Sequence, residues 1–481
     1  MSLNSFSFIF YFVFLMIFLL CFERMGQSLK ENAAKRIQLT GILFYSYFFI
    51  FQSDWRFFMC IFIYTVLAYL FGIAISREAS LKKRRIFLWG GGIISILILC
   101  YFKYAEFFRH SFSAIFGEKS VEAEVLLPIG LSFYVFSGLS YLIDIYWKRY
   151  EAEYNFLNFS LYIGMFSKLA AGPIVRAGEF LVQVRRYRGI CLDKCAEGLQ
   201  IFVFGLFKKI VLADHLSIFV DDVFFSPSAF DTATVILAAI SYSFQIYFDF
   251  SGYSDMAIGI SKILGFDFTP NFNLPYISKN VSEFWKRWHI SLSSWFQEYL
   301  YIPLGGSRKG NIRTYLNLMI VMGISGFWHG SGWTFIIWGV LYGIVNCFYR
   351  FWSKKIVAEY TNHVFLTIGG QIMNFAMVTI FWVIFRADSI ETAIKIWRGM
   401  FTLHTGISQM YSWTFFSGAC LIAASAAAVL RSKRKHEEIV NGYYVIMDLS
   451  KVSSLIIFFT FIGLTILMGY FGNNVFIYGK F

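Results

Sequence analysis

Charge is what this chain has least of. Only 15% of its 481 residues are Asp, Glu, Lys or Arg, against 58% hydrophobic and 21% aromatic, and the mean hydropathy is +0.60. Soluble domains carry roughly 25% charged residues, so a soluble globular protein is excluded. Long polar sequence is missing too: the longest such stretches, residues 176–197 and 431–450, are far shorter than the roughly 50 residues of a small independent domain. Cysteine supplies no framework. The seven are odd in number and scattered, and Cys191 and Cys195 have no second pair, so neither disulfides nor a structural metal is expected. No tandem repeat is visible, nor a matched pair of interrupted helices of the kind that marks inverted-repeat transporters. No small-residue cleavage site follows the first apolar stretch, which runs into Glu23, Arg24 and Met25, so a retained first helix is expected in place of a cleaved signal peptide.

What is there is hydrophobic runs, most of them near the length of about 20 residues that crosses a bilayer. They cover residues 6–22, 39–51, 57–75, 86–102, 126–147, 199–223, 235–260, 315–348, 364–385, 411–430 and 454–471. An all-α polytopic integral membrane protein is therefore expected, as one domain over 1–481. Residues 1–110 form peripheral N-terminal helices in this reading, 126–350 the core that carries His289 and His329, and 364–481 the C-terminal helices. The net charge of +13 does not indicate nucleic acid, because the cations cluster beside apolar runs: Arg24, Lys30, Lys35 and Arg36; Arg77, Lys82, Lys83, Arg84 and Arg85; Arg431, Lys433, Arg434 and Lys435. Short basic loops mark the cytoplasmic side. Both termini, the 52–56 loop and residues 103–125 are then expected outside.

Residues 315–348 would make a helix of roughly 50 Å, too long for about 30 Å of hydrocarbon. Gly323, Gly326, Gly330, Gly332 and Gly339 lie along its middle, so two helical pieces are expected to meet near 326–332 with His329 at the break. In residues 282–301, Phe284, Trp288, Leu292, Trp295, Phe296 and Tyr299 share one helical face, the pattern of an interfacial or re-entrant amphipathic helix, with His289 at its edge. Asp249 and Asp255 sit inside another apolar run. Ionisable groups at such depth are functional candidates by default, because an unpartnered polar group in hydrocarbon is costly.

The stretches LLPIGLSFYVFSGLSYLIDIYW, KLAAGPIVRAGEFLVQVRR, YFDFSGYSDMAIGI, FWKRWHISLSSWFQEYLYIPLGGSRKG, GFWHGSGWTFIIWGVLYG, FWVIFRADSIETA and the terminal FIYGKF together resemble the membrane-bound O-acyltransferase family. The resemblance is to its bacterial branch, typified by the membrane subunit of alginate O-acetyltransferase. It implies a ring of about 11–12 transmembrane helices, some broken or re-entrant, around a thinned core with a central tunnel. It makes His329 of the WHG motif the catalytic residue and His289 of RWHISLS the second functional histidine. Trp328, Gly326, Gly330, Asp249, Asp255 and Arg176 are candidates for supporting or tunnel-lining roles. Two features depart from the branch's pattern, the FIYGKF tail and Lys168 in KLAAGPIVR.

The chemistry so implied is acyl transfer to a sugar hydroxyl, in which a neutral, buried histidine takes the hydroxyl proton as the oxygen attacks. Each candidate has a plainer reading beside it. His329 alone could be a packing histidine, His289 an interfacial one beside Trp285 and Trp288, and the two aspartates tethers between helices. Arg176 could meet a phosphate of coenzyme A or anchor the topology. The expected enzyme takes an acyl group, foremost acetyl from acetyl-CoA, on the cytosolic side of a bacterial inner membrane. It delivers it to an extracytoplasmic polysaccharide or cell-wall glycan, directly or through an SGNH-type partner acyltransferase, with membrane lipids as surroundings and no permanently bound cofactor. D-alanyl transfer to teichoic acid, a polysaccharide or lipid transporter, and a scaffold for a secretion complex are the alternatives. YIPLGG and the chain length favour the alginate-like branch over the teichoic-acid proteins, and a transporter or scaffold should tolerate loss of His329.

Overall fold

A computed structural model describes residues 3–25, 31–116, 126–169, 172–356, 364–435 and 446–472; the FIYGKF tail and the loop around Glu118 lie outside them. Helix dominates, and the described residues contain no strand beyond a lone parallel bridge between Phe230 and Ile407. The backbone groups into two compact units, Met1–Val203 with Tyr253–Thr269 and Phe204–Gly252 with Pro270–Phe481.

The first unit holds α1 (Phe6–Met25), α2 (Glu31–Phe51), α3 (Trp55–Arg77), α4 (Leu81–Leu99), α5 (Ala105–Phe116), α6 (Leu131–Tyr146), α7 (Phe156–Gly164), α8 (Phe166–Leu169), α9 (Ala177–Arg185) and most of α10 (Leu192–Leu206). A five-residue π-helical turn, Cys100–Tyr104, joins α4 to α5. Asp54 caps α3 by accepting the Arg56 backbone N–H at 2.8 Å, and the Arg56 guanidinium and N–H together hold its carboxyl below the ordinary carboxylate range. Helices α3 and α6 interlock through reciprocal aromatic-on-glycine contacts: Tyr64 lies over Gly138 and Tyr141 over Gly72, where any β-carbon would clash. Small residues let helix backbones approach in this way, and Tyr64 completes the contact by donating to the Val135 carbonyl at 3.1 Å. Lys168, the departure noted above, is buried in α8, where its ammonium donates to the Tyr162 carbonyl and lies 4.3 Å from the centre of the Tyr162 ring.

The second unit holds α11 (Asp214–Phe225), the first two-thirds of α12 (Thr232–Ile263), α13 (Val281–Arg287), α14 (Ile290–Phe296), α15 (Asn311–His329), α16 (Trp333–Ile356), α17 (Val364–Arg386), α18 (Ile390–Phe401), α19 (Ser412–Lys435) and α20 (Val452–Met468). Among the described residues six helices are long and apolar enough to span a membrane: Phe6–Arg24, Trp55–Arg77, Leu81–Ser113, Thr232–Ile263, Trp333–Ser353 and Leu366–Arg386. Three more are apolar but shorter, Leu131–Tyr146, Ser412–Ala427 and Val452–Met468. Fewer helices qualify than the sequence has apolar runs, because local structure interrupts some of the runs. The run at 199–223 is divided by a π-helical segment, Phe207–Ala213, that buries Lys208 and Lys209. The run at 315–348 is two helices, as its length required. Burial separates the spans as well: 78% of the apolar window of α12 is buried in protein but only 17% of that of α1, so α12 is interior and α1 presents its surface outward.

Candidate functional site

Asn271 organises the approach to His289. Its carbonyl accepts the Ile290 N–H at 2.8 Å, and its side-chain Oδ1 accepts the Ser291 N–H at 3.1 Å and the Ser291 hydroxyl at 2.9 Å. These bonds draw the chain out of helical geometry between α13 and α14. Trp288 becomes extended, and His289 takes φ 44°, ψ 56°, the left-handed region that costs a non-glycine residue about 1–3 kcal/mol and clusters at functional sites. The single amphipathic helix expected over 282–301 is therefore two short helices followed by a π-helical turn, Gln297–Tyr301. The aromatic stripe read from the sequence survives the break, since Phe284, Trp288, Leu292, Trp295, Phe296 and Tyr299 are all buried, and His289 itself is 1% exposed.

The same asparagine fixes the histidine's tautomer. The Ser291 backbone N–H can only donate, so the atom facing it is the amide oxygen. That oxygen stands 3.2 Å from His289 Nδ1 and can only accept, so Nδ1 carries the proton and Nε2 is the basic nitrogen. Phe250 meets the ring edge-on at 4.7 Å between centroids.

His329 closes α15 at the turn into α16. The two helices form a tight hairpin in which Gly326 and Gly339 face one another: a β-carbon on Gly326 would stand 3.0 Å from Gly339 Cα and collide with the Phe335 carbonyl. Gly326 is thus a packing position beside the break. Gly330 is extended and lies under the Phe335 ring, which a β-carbon would strike. The His329 side chain, 2% exposed, is enclosed by Trp328, Trp338 and Phe385 at 5.0, 5.1 and 5.4 Å between ring centroids. Trp328 also meets His289, at 6.2 Å and 61°. One indole therefore touches both histidine rings, and residues 40 positions apart in sequence share one aromatic interior.

Asp249 is buried on α12, but it accepts from Lys209 Nζ at 2.6 Å in a triad completed by Asp214 at 2.7 Å. Asp255 is buried on the portion of α12 in the first unit. Arg176, in the first unit, stands just before the first residue of α9 without capping it through its side chain, and its Nη1 donates to the Ile174 carbonyl at 3.2 Å. Among the described residues no group of three or more His, Cys, Asp or Glu is placed to hold a metal ion.

The sequence reading missed Asn271, Trp338, Phe385 and the triad. A signal existed for two of them: an asparagine in the PNFNLP run just ahead of RWHISLS, and paired lysines in the middle of IFVFGLFKKIVLA.

The sequence pattern of MBOAT, the membrane-bound O-acyltransferase family, matches residues 146–390, a stretch that includes both histidines, Asn271 and Trp328. This chain belongs to the membrane-bound O-acyltransferase family. It is a multi-pass membrane O-acyltransferase. It is 41% identical over 361 residues to a protein of Azotobacter vinelandii named a probable alginate O-acetylase, covering 74% of this chain and 71% of that one. Similarity to a peptidoglycan O-acetyltransferase of Helicobacter pylori is 36% over 374 residues, covering 71% and 69%. A teichoic acid D-alanyltransferase of Bacillus subtilis is 27% identical over 246 residues, covering 47% and 60%.

Proposed function

We propose that this acyltransferase, in the bacterial cytoplasmic membrane, moves an acyl group, acetyl first among candidates, from a cytosolic thioester such as acetyl-CoA to hydroxyls of an extracytoplasmic polysaccharide or cell-wall glycan. The acceptor is reached directly or through a partner transferase. The observation that carries the reading is the Trp328 indole lying against both His289 and His329, which gives one site two imidazoles in surroundings that exclude water. His329 is the general base. As the acceptor oxygen attacks the acyl carbonyl carbon, His329 takes the hydroxyl proton; when the carbon–sulfur bond breaks, the imidazolium returns that proton to the leaving thiolate, so an ester and a free thiol result. His289, its Nδ1–H committed to Asn271, offers Nε2 to hold the acceptor hydroxyl in place. Trp338 Nε1, on the ring against His329, and Tyr342 Oη, on the ring beyond Trp338, are fully buried and meet no acceptor among the described residues. They are available to the carbonyl oxygen as it gains charge, the position where fixed donors contribute most to acyl transfer.

The relatives named for alginate and peptidoglycan support O-acetylation of a glycan over D-alanyl transfer, because the D-alanyl relative is less similar and matches a smaller part of the chain. The test is purified protein in proteoliposomes supplied with acetyl-labelled acetyl-CoA and, in separate reactions, deacetylated alginate, peptidoglycan fragments and teichoic acid, with and without an SGNH-type partner. Labelled ester on a glycan is expected. Label on none of them, with transfer from a D-alanyl carrier instead, overturns the proposal.

A further inference from the structure

Helix α18 has three distinct sides, one more than the apolar and polar pair that a helix on a water-soluble surface needs. Its residues advance by about 100° each, so Ala393, Ile396 and Gly399 face one way, and all three are buried. A β-carbon on Gly399 would stand 3.2 Å from Val235 Cγ1, which sets this side against α12. Ile390, Ile394 and Phe401 occupy the next arc, about 40° wide, yet they are 39%, 39% and 69% exposed, and Leu403 just past the helix is 97% exposed. The third arc is charged. Glu391, Lys395 and Arg398 lie on it, all exposed, with Lys395 2.8 Å from Glu391.

The chain holds α18 at the level where spanning helices end. Three residues separate it from α17, so Ile390 is within about 14 Å of Arg386 along the backbone. Beyond α18, the His404 N–H donates to Thr232 Oγ1 at 3.1 Å and the Asp231 N–H to the Ile407 carbonyl at 3.1 Å, which pins the following loop to the start of α12. The helix also folds back along α17: Trp397 Nε1 donates to the Ile380 carbonyl at 3.0 Å. Ile380 lies six residues inside the end of the apolar span Leu366–Arg386, a depth of about 9 Å. The apolar side of α18 is therefore held beside the edge of the hydrocarbon, where lipid and not a soluble partner meets it. We propose that α18 is an interfacial helix that inserts Ile390, Ile394, Phe401 and Leu403 into the phospholipid headgroup boundary and keeps Glu391, Lys395 and Arg398 in water. Such helices bind by burying apolar area at that boundary, and tryptophans like Trp397 are enriched there. The anchor adjoins the histidine site through α17, whose Phe385 lies 5.4 Å from His329 between ring centroids, but the proposal does not depend on the acyl-transfer reading.

The test is a nitroxide scan of α18 in the full chain, purified into nanodiscs of phosphatidylethanolamine and phosphatidylglycerol, with the native cysteines replaced by alanine. Molecular oxygen concentrates in lipid and a nickel chelate stays in water. The ratio of oxygen to nickel accessibility is expected to be several times higher for labels on Ile394→Cys and Phe401→Cys than on Glu391→Cys and Lys395→Cys, while Ile396→Cys is closed to both reagents. Nickel reaching Ile394→Cys as freely as Lys395→Cys overturns the proposal, because the apolar side is then open to water and left for a soluble partner. Closure of Ile394→Cys to both reagents also overturns it, by showing a protein neighbour such as a second copy of this chain. A second measurement keeps the native cysteines and so does not rest on the cysteine-free protein folding. With p-benzoylphenylalanine in place of Ile394 or Lys395, irradiation should give phospholipid adducts by mass spectrometry at 394 and several times fewer at 395, and equal yields at the two positions overturn the proposal.

Discussion

Two places in the second unit bury polar groups, and they do it in opposite ways. Around Lys209 everything is paired: one ammonium lies 2.6 Å from Asp249 and 2.7 Å from Asp214, and all three side chains are nearly inaccessible. Around Trp328 the polar groups are imidazoles set among rings, and the hydrogen bond that holds His289 leaves its basic nitrogen pointing elsewhere. A buried ion triad tolerates no change in protonation, since losing one charge strands the others in a low dielectric. A general base must gain and lose a proton in every cycle. The contrast separates a structural tie from a reactive site, although both look alike in sequence as ionisable residues inside apolar runs.

The comparison is broken most forcefully at the triad. Lys209→Met leaves two carboxylates buried without their cation and should cost about 3–5 kcal/mol of stability, seen as loss of folded protein on size exclusion and a large drop in unfolding temperature. Lys209→Met combined with Asp214→Asn and Asp249→Asn removes all three charges together and should recover most of that loss. A single Lys209→Met variant as stable as the parent would mean that the triad ties nothing together.

At the other pole, His329→Ala and His329→Gln should each lower acyl transfer by 10²-fold or more, about 2.7 kcal/mol in the barrier, while the protein stays folded and inserted. Turnover and unfolding temperature measured on the same preparation decide it. Retention of more than about a tenth of activity is incompatible with general-base catalysis by this residue. Disappearance of both variants from the membrane would move His329 to the structural side of the comparison.

Much of this contrast was legible before the fold. The length of 315–348 demanded a break and its glycines placed it, because helix rise and bilayer thickness are fixed lengths; the helix does end at His329. The buried aromatic stripe from Phe284 to Tyr299 followed from helical periodicity. What periodicity could not show was that the stripe is cut at His289, since the cause is Asn271, eighteen residues upstream and joined to it only in three dimensions. Asp249 was rightly read as facing something other than lipid, but the identity of its partner depended on a lysine 40 residues away. Gly326, expected at the break, turned out to be where α15 rests on Gly339 of α16. Spacing along one helix says nothing of which neighbour it meets.

A subtler pair of predictions sharpens the histidine side. Asn271→Leu removes the acceptor that fixes the His289 tautomer and leaves the Ser291 N–H without its bond, a loss of about 1–3 kcal/mol. Acyl transfer should fall by roughly tenfold. Asn271→Asp keeps an acceptor at the same place and should retain more activity than Asn271→Leu. If the two variants are equally impaired, the acceptor at Nδ1 is not what matters, and His289 acts without a fixed tautomer.

The smallest effect is expected one atom further out. Ser291 Oγ gives Asn271 Oδ1 its third hydrogen bond, at 2.9 Å, alongside the Ser291 N–H and His289 Nδ1. Ser291→Ala removes that bond and should cost about 0.5–1.5 kcal/mol, less than roughly tenfold in turnover. A serine that acts on the chemistry through the asparagine loses its effect once the asparagine is gone: Asn271→Leu with Ser291→Ala should match Asn271→Leu alone. A double-mutant cycle on kcat makes the distinction. Strictly additive losses would mean that the Ser291 hydroxyl works independently of Asn271, and that what positions His289 is a wider polar network than the single amide.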